Sequence, residues 1–210
     1  FLLAREFLAY FRADPSELPP QFTLHVIENM NPDGLHRVTA GTPIEEFNFR
    51  EAETVPGRFN ANWVDLNRNW DGEWQPTSYW RSREVDAGTA PFSEPETRVV
   101  RDYFRRIEPV ASLFFQSAAA GLWYSGAEDG WKPARRLAEA YARASGYRLP
   151  VPDDDDGGPV SYEITGSADD YFYEIGHPNL TVELTNHYEI DWERNLSGFN
   201  SLLDLLLQEE

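Results

Sequence analysis

The sequence has no cysteine. Disulfides, thiolate–zinc sites and cysteine nucleophiles are therefore excluded, and the compartment stays open, since a cysteine-free chain suits the cytosol and the exterior equally. Basic residues are scarce: 18 Lys and Arg stand against 36 Asp and Glu, a formal net charge of −18 at pH 7. Nucleic acid and anionic membrane surfaces draw their affinity from basic side chains, so neither is an expected partner. No run approaches the roughly 18 apolar residues of a membrane span. An initiator Met and a basic n-region are also missing at Phe1-Leu2-Leu3-Ala4, so no signal peptide is expected within the chain.

What is present suits one α/β core. The chain has 210 residues, 41% hydrophobic and 14% aromatic, enough for a single domain over 1–210 and short for two. Leu2, Leu3, Phe7, Leu8 and Phe11 recur at helical spacing, so residues 1–13 are expected as helix. A chain that opens inside a helix is expected to continue upstream. Thr23 to Ile27, His25 among them, reads as a short buried strand before the turn Asn31-Pro32-Asp33-Gly34. Residues 35–62 read as loop. Ser93, with Pro95 and Glu96 behind it, caps a helix running to Arg106. Val110 to Phe115 is a buried strand. Lys132 to Ser145 is a helix closed by Gly146. Asp153 to Gly158 reads as an exposed loop. Tyr171 to Ile175 reads as a helical turn, Asn179 to Leu184 as a strand, and Phe199 to Gln208 as the last helix. Strands alternating with helices predict a mixed, mostly parallel central sheet flanked by helices.

The densest polar cluster is Asn60-Ala61-Asn62-Trp63-Val64-Asp65-Leu66-Asn67-Arg68-Asn69-Trp70. An Arg beside an Asn on a stiff segment grips a carboxylate through a planar fork plus an amide donor. Trp70, Trp74, Tyr79 and Trp80 follow it as an aromatic cluster, read as ordinary packing or as a cleft wall. Glu183 stands between Val182 and Leu184, where burial is expected to raise its proton affinity. That suits a group that exchanges protons near neutral pH.

These segments resemble the zinc carboxypeptidases of the carboxypeptidase A/B type. The matches run in order: Asn31-Pro32-Asp33-Gly34, Arg58-Phe59-Asn60-Ala61 with Val64-Asp65-Leu66-Asn67-Arg68-Asn69, Pro91-Phe92-Ser93-Glu94-Pro95-Glu96, Phe115-Gln116-Ser117-Ala118, Tyr162-Glu163-Ile164-Thr165-Gly166-Ser167-Ala168-Asp169-Asp170 and Leu180-Thr181-Val182-Glu183-Leu184. The resemblance implies a substrate carboxylate held by Asn67 and Arg68, a carbonyl polarised by Arg58 rather than Arg50, and a terminal residue capped by Tyr162. It implies Glu183 as the catalytic base. Asp169 falls where the side-chain preference of the family is set, and an acid there resembles the type that takes a C-terminal Lys or Arg. Zinc is the implied cofactor, a peptide or protein C-terminus the implied partner, and an extracellular or periplasmic location the implied placement.

The ligand set departs from that pattern. The family binds zinc through a His-x-x-Glu motif and a later His. In this reading the His-x-x-Glu is not in the chain but upstream of Phe1, along with N-terminal strands of the sheet. The later His is replaced by Gln116, whose amide oxygen is a poor zinc donor. His25, His36, His177 and His187 have no ligand spacing that rebuilds the site. Three functions follow: a domain that recognises C-terminal carboxylates with impaired or absent catalysis; an active metallocarboxypeptidase acting on protein or cell-wall peptides, its His and Glu supplied by an upstream segment; or a structural domain in an assembly. An upstream segment or a partner chain is the expected completion of the sheet.

Overall fold

The computed structural model describes residues 1–126, 131–149 and 164–208. The acidic loop at 153–158 and Tyr162 lie outside them.

Parallel pairing of β3 (Ser112–Ser117) with β5 (Asn179–Leu184) organises the molecule. β4 (Gly121–Tyr124) joins the other edge of β5 antiparallel, giving the order β3-β5-β4. Cβ atoms alternate along a strand, so the pair has two chemically distinct faces. Leu113, Phe115, Leu180, Val182 and Leu184 point one way. Against them lie α4 (Lys132–Ser145), through Leu137, Ala138 and Tyr141, α6 (Trp192–Leu207), through Phe199, Leu202 and Leu203, and α1 (Leu2–Ala13), through Leu3, Phe7 and Phe11. The opposite face carries Ser112, Phe114 and Gln116 beside Asn179, Thr181 and Glu183. α3 (Pro95–Ile107), α5 (Ala168–Glu174) and the Trp70 segment cover its apolar part: Trp70, Phe92, Val100, Tyr171 and Phe172 pack with Phe114.

Two further elements complete the order. α2 (Pro32–Thr39) starts at Asn31, whose side chain accepts from Gly34 N at 2.9 Å. A hairpin of β1 (Thr77–Trp80) and β2 (Arg83–Asp86) follows the polar cluster.

The structure corrects several sequence expectations. Residues 22–29 carry no ladder hydrogen bonds and alternate between half-buried and exposed; His25 is exposed. No described strand pairs with them, although Phe22 and Leu24 pack in the same apolar cluster as Leu113 and Phe115 of β3. The outer edge of β3 is likewise unpaired among the described residues, and its side chains are half-buried rather than buried. β3 starts two residues later than expected, leaving Val110 exposed. Asn31 to Gly34 is a helix start, not a turn alone, and the expected loop after it holds the rest of α2. Glu94, not Ser93, is the cap position of α3. The final helix begins seven residues earlier than expected, at Trp192.

Gly198 fixes how closely α4 and α6 approach. A Cβ there would meet Tyr141 ring atoms at 2.5 to 2.7 Å. Tyr141 is fully buried and its hydroxyl donates to Asn195 Oδ1 at 2.7 Å, so the ring has little room to yield. Gly198→Ala gains about 1 kcal/mol of helix propensity but forces an overpacking cost of about 3 kcal/mol. We expect a net loss of about 2 kcal/mol, seen as a Tm lower by roughly 4–8 °C in thermal melts. An unchanged Tm would show that the helices yield at no more than the propensity gain of about 1 kcal/mol.

Candidate functional site

The polar cluster is built by buried amides. Asn60 Oδ1 accepts from Asn62 N and Val64 N, both at 3.0 Å, and its Nδ2 donates to Glu94 Oε2 at 2.6 Å. Asn69 Nδ2 donates to Ala87 O, Ala90 O and Ser93 Oγ, while its Oδ1 accepts from Glu94 N and Thr97 Oγ1. Both residues are buried with donor and acceptor sides used, which removes the penalty of burying them. They lock the cluster onto the start of α3.

Between these amides, Arg58 meets Asp65 bidentately, Nε at 2.7 Å and Nη2 at 2.6 Å from Oδ2. Asp65 is 2% exposed and Arg58 22% in their side chains. The guanidinium also lies over the Trp80 ring, 4.5 Å from its centroid. Arg68 is buried and donates to Tyr79 O and Asn67 O, which ties the cluster to the hairpin. Asn67 Oδ1 accepts from Ala168 N at 3.2 Å, which ties it to α5. Gly166 makes a third tie: its O accepts from Trp70 N at 3.0 Å, and its φ of +69° and missing Cβ allow this approach, since a Cβ there would collide with Arg68 O.

Across this cluster lies the polar face of the sheet. Glu183 sits opposite Gln116 in the β3–β5 register. Its Oε2 is buried with no hydrogen-bond partner among the described residues. Burial pushes its carboxyl up to about 7; Arg58 opposes that rise and Asp169 adds to it. Asp169, on α5, accepts from Asn179 Nδ2 at 2.5 Å and Thr181 Oγ1 at 2.9 Å. Burial raises its carboxyl to about 6, against the pull of those two donors.

The expected residues are therefore sorted by the fold. Arg58 and Asp169 both lie within electrostatic reach of Glu183, and Asn67 ties the polar cluster to the start of α5 beside Asp169. Arg50 does not join them: it pairs with Glu189 at 3.1 Å and stacks on Tyr188 in the loop after β5. Of the aromatic cluster, Trp70 is core, Trp74 donates to Ala87 O, and Tyr79 stands 49% exposed. Sequence reasoning passed over Asn179 and Thr181 as site residues. Their signal was the polar alternation Asn179, Thr181, Glu183 within an otherwise apolar strand.

The histidines serve elsewhere. His177 faces Ser112 Oγ and packs between Phe104 and Phe172; His187 faces Ser117 Oγ; His36 lies on α2. A His-x-x-Glu spacing does occur once, at His25 and Glu28, contrary to the expectation that the chain has none. It forms no ligand pair, because the two side chains turn to different partners. His25 meets Tyr103 Oη at 2.6 Å and Glu28 lies 4.0 Å from Arg5.

Residues 2–199 match the model of the zinc carboxypeptidase family, and the chain belongs to that family. It is 26% identical over 177 residues to the gamma-D-glutamyl-L-diamino acid endopeptidase 1 of Lysinibacillus sphaericus, covering 78% of this chain. The chain spans 42% of that relative's length. Among solved structures it resembles the murein-tripeptide amidase MpaA of Escherichia coli O157, with a TM-score of 0.54, 24% identity, and coverage of 84% of this chain and 65% of that one. The carboxypeptidase A of Helicoverpa armigera is similar at a TM-score of 0.53 and 19% identity, over 83% of this chain and 50% of that one. These structural likenesses show the shared fold.

Zinc is the metal in the family's name, and the described residues do not fit it. No group of three His, Cys, Asp or Glu side chains converges among them. The donors that do face each other are a neutral amide, Gln116, and a carboxyl, Glu183, which is not a set that zinc takes on its own.

The raised affinity of Glu183 for its proton makes a stability prediction. A carboxyl whose folded value lies above its unfolded value binds more protons in the folded state between about 4.5 and 7. Stability from this group is present in acid and is lost as pH rises through 7. Glu183→Gln, which removes the charge and keeps the shape, is expected to be more stable than the parent at pH 8 by on the order of 2 kcal/mol. The gain should shrink toward zero at pH 4.5. Denaturant titrations at the two pH values measure this, and a gain that does not change with pH would refute it.

Proposed function

We propose that this domain recognises the carboxylate end of a peptide, with catalysis impaired in the chain as it stands. One observation carries the reading. A guanidinium braced by Asp65, an Asn–Arg pair framed by the hairpin and α5, and two proton-binding carboxyls gather over the polar face of the sheet, while the expected third ligand is Gln116. In this reading Asn67 and Arg68 take the terminal carboxylate and Arg58 the adjoining carbonyl. Asp169 takes a cationic side chain on the terminal residue. Glu183, holding its proton near pH 7, donates to the ligand through Oε2. Binding needs nothing beyond these groups. The relative named for cleaving next to an L-diamino acid and the neighbour named for a murein tripeptide suggest the ligand class: a cell-wall peptide whose terminal residue carries an amine.

The unpartnered Oε2 of Glu183 favours a second reading. A segment upstream of Phe1 would bring His and Glu ligands, and Glu183 would then serve as base. The free edge of β3 and the unladdered 22–29 segment support a strand from such a segment, or from a partner chain.

Two measurements on the full-length protein separate these readings. Calorimetry with a short peptide ending in Lys should show binding that is lost by at least tenfold when the C-terminus is amidated. A charge-assisted contact is worth roughly that much. Arg68→Lys, which keeps the charge but not the fork, should lose at least tenfold as well. Equal binding of acid and amide would overturn carboxylate recognition. Zinc content near one per chain, with release of the terminal Lys, would replace the impaired reading with the active one.

A further inference from the structure

Asn179 lies at the start of β5 with no exposed surface, and every polar atom of its side chain is committed. Its Oδ1 accepts from Ser112 Oγ at 2.6 Å, across the β3–β5 register. Ser112 Oγ in turn lies 3.1 Å from His177 Nε2. Because Ser112 donates to Asn179, it must accept from His177, which places the imidazole proton on Nε2. Burial holds His177 well below its ordinary value, at about 4, so the ring is neutral and this direction holds through neutral pH. With Oδ1 occupied by Ser112, the amide has one orientation left. Its Nδ2 must point to Asp169, and does so at 2.5 Å.

We propose that Asn179 is a positioning residue for Asp169: its amide, oriented by Ser112, holds the carboxylate in place in its anionic form and so decides whether the pocket accepts a cationic terminal residue. The inference rests on the reading of Asp169 as the acid that meets the ligand's amine. The physical argument is local. Both bonds to Asp169, from Asn179 and from Thr181, fall on Oδ1. Among the described residues Oδ2 has no protein partner and is the oxygen left for an ammonium group. The surroundings otherwise disfavour the anion. Burial is the chief cause, Asp170 on the same helix adds to it, and Asp169 in turn raises Glu183 on β5. Arg58 is committed to Asp65 and is the cation that Glu183 feels. Two neutral donors therefore carry the task of keeping Asp169 charged, and Asn179 is the shorter contact.

The test uses two probe peptides identical except for a C-terminal Lys or Ala, titrated by calorimetry against the full-length protein from pH 5 to 8. The parent should prefer the Lys peptide, and the preference should fall away below about pH 6. In Asn179→Ala that fall should move up by about one pH unit. Lys-peptide binding should then drop about fivefold at pH 6 and recover toward pH 8, with Ala-peptide binding unchanged at both. Asn179→Ser supports the same readout if the alanine variant does not fold, since its hydroxyl is too short to span to Asp169. Equal losses for both peptides with an unmoved pH profile would overturn the proposal, because a residue that merely braces the sheet would act on both alike. Asp169→Asn distinguishes the underlying reading. If that variant still prefers Lys over Ala, Asp169 is not the pocket acid and the fault lies there; if it loses the preference while Asn179→Ala keeps the parent profile, the positioning role alone fails.

Discussion

The register of β3 on β5 is the constraint on which the rest depends. Ser112 faces Asn179, Phe114 faces Thr181 and Gln116 faces Glu183. A slip of β3 by one residue against β5 would turn Ser112, Phe114 and Gln116 to the opposite face and bring Leu113 and Phe115 to the polar side. The apolar face cannot tolerate that exchange: Phe115 stacks on Phe7, and Val182 is wholly buried beneath α4 and α6. The hydrophobic core therefore aligns the site, although none of its side chains enters it. Burial on one face dictates which polar groups are neighbours on the other.

The second layer is held by polar groups that have no freedom left. Asn60, Asn69 and Asn179 are each buried with both ends of the amide bonded. An amide in that state specifies geometry in a way an apolar contact cannot, because rotating it by half a turn puts donor against donor. The cations follow the same logic. Lys132 is the sole lysine of the chain, so every cation at the site is an arginine. Arg58 and Arg68 spend much of their fork on Asp65, Tyr79 O and Asn67 O. A compact ammonium would not make such planar, multiple bonds. In a chain of net charge −18, these guanidinium groups are positive features fixed in a negative field.

How much of this was legible in the sequence depended on whether the deciding interaction was local. α4 and β5 matched their expected limits because a cap glycine and a short apolar run bounded by turns are local signals. Segment 22–29 reads like a strand, but a ladder needs a paired neighbour, and none is present among the described residues. The β1–β2 hairpin was passed over because its turn lacks a glycine or asparagine; Arg81 occupies the positive φ position instead. The site shows the same division. Asn67, Arg68 and Glu183 were visible as a linear motif and a buried acid. Asn179 and Ser112 were not, since their importance comes from a pairing 67 positions apart. Gln116 was visible as a departure, while its position opposite Glu183 belongs to the fold.

The two carboxyls of the polar face look redundant until their proton affinities are compared with what a ligand would bring. Asp169 titrates near 6 and Glu183 near 7, each raised chiefly by burial. With Glu183 holding its proton and Asp169 charged, the face becomes dipolar: neutral donor and guanidinium groups on one side, a carboxylate on the other. On the reading proposed above, that matches a terminal residue that carries a carboxylate and an amine at once. The two acids are not equally provided for. Asp169 is given two donors by β5, whereas Glu183 faces the neutral amide of Gln116 and keeps a buried oxygen without a partner. The same strand thus supplies hydrogen bonds to one carboxyl and none to the other, while burial raises both from their ordinary values.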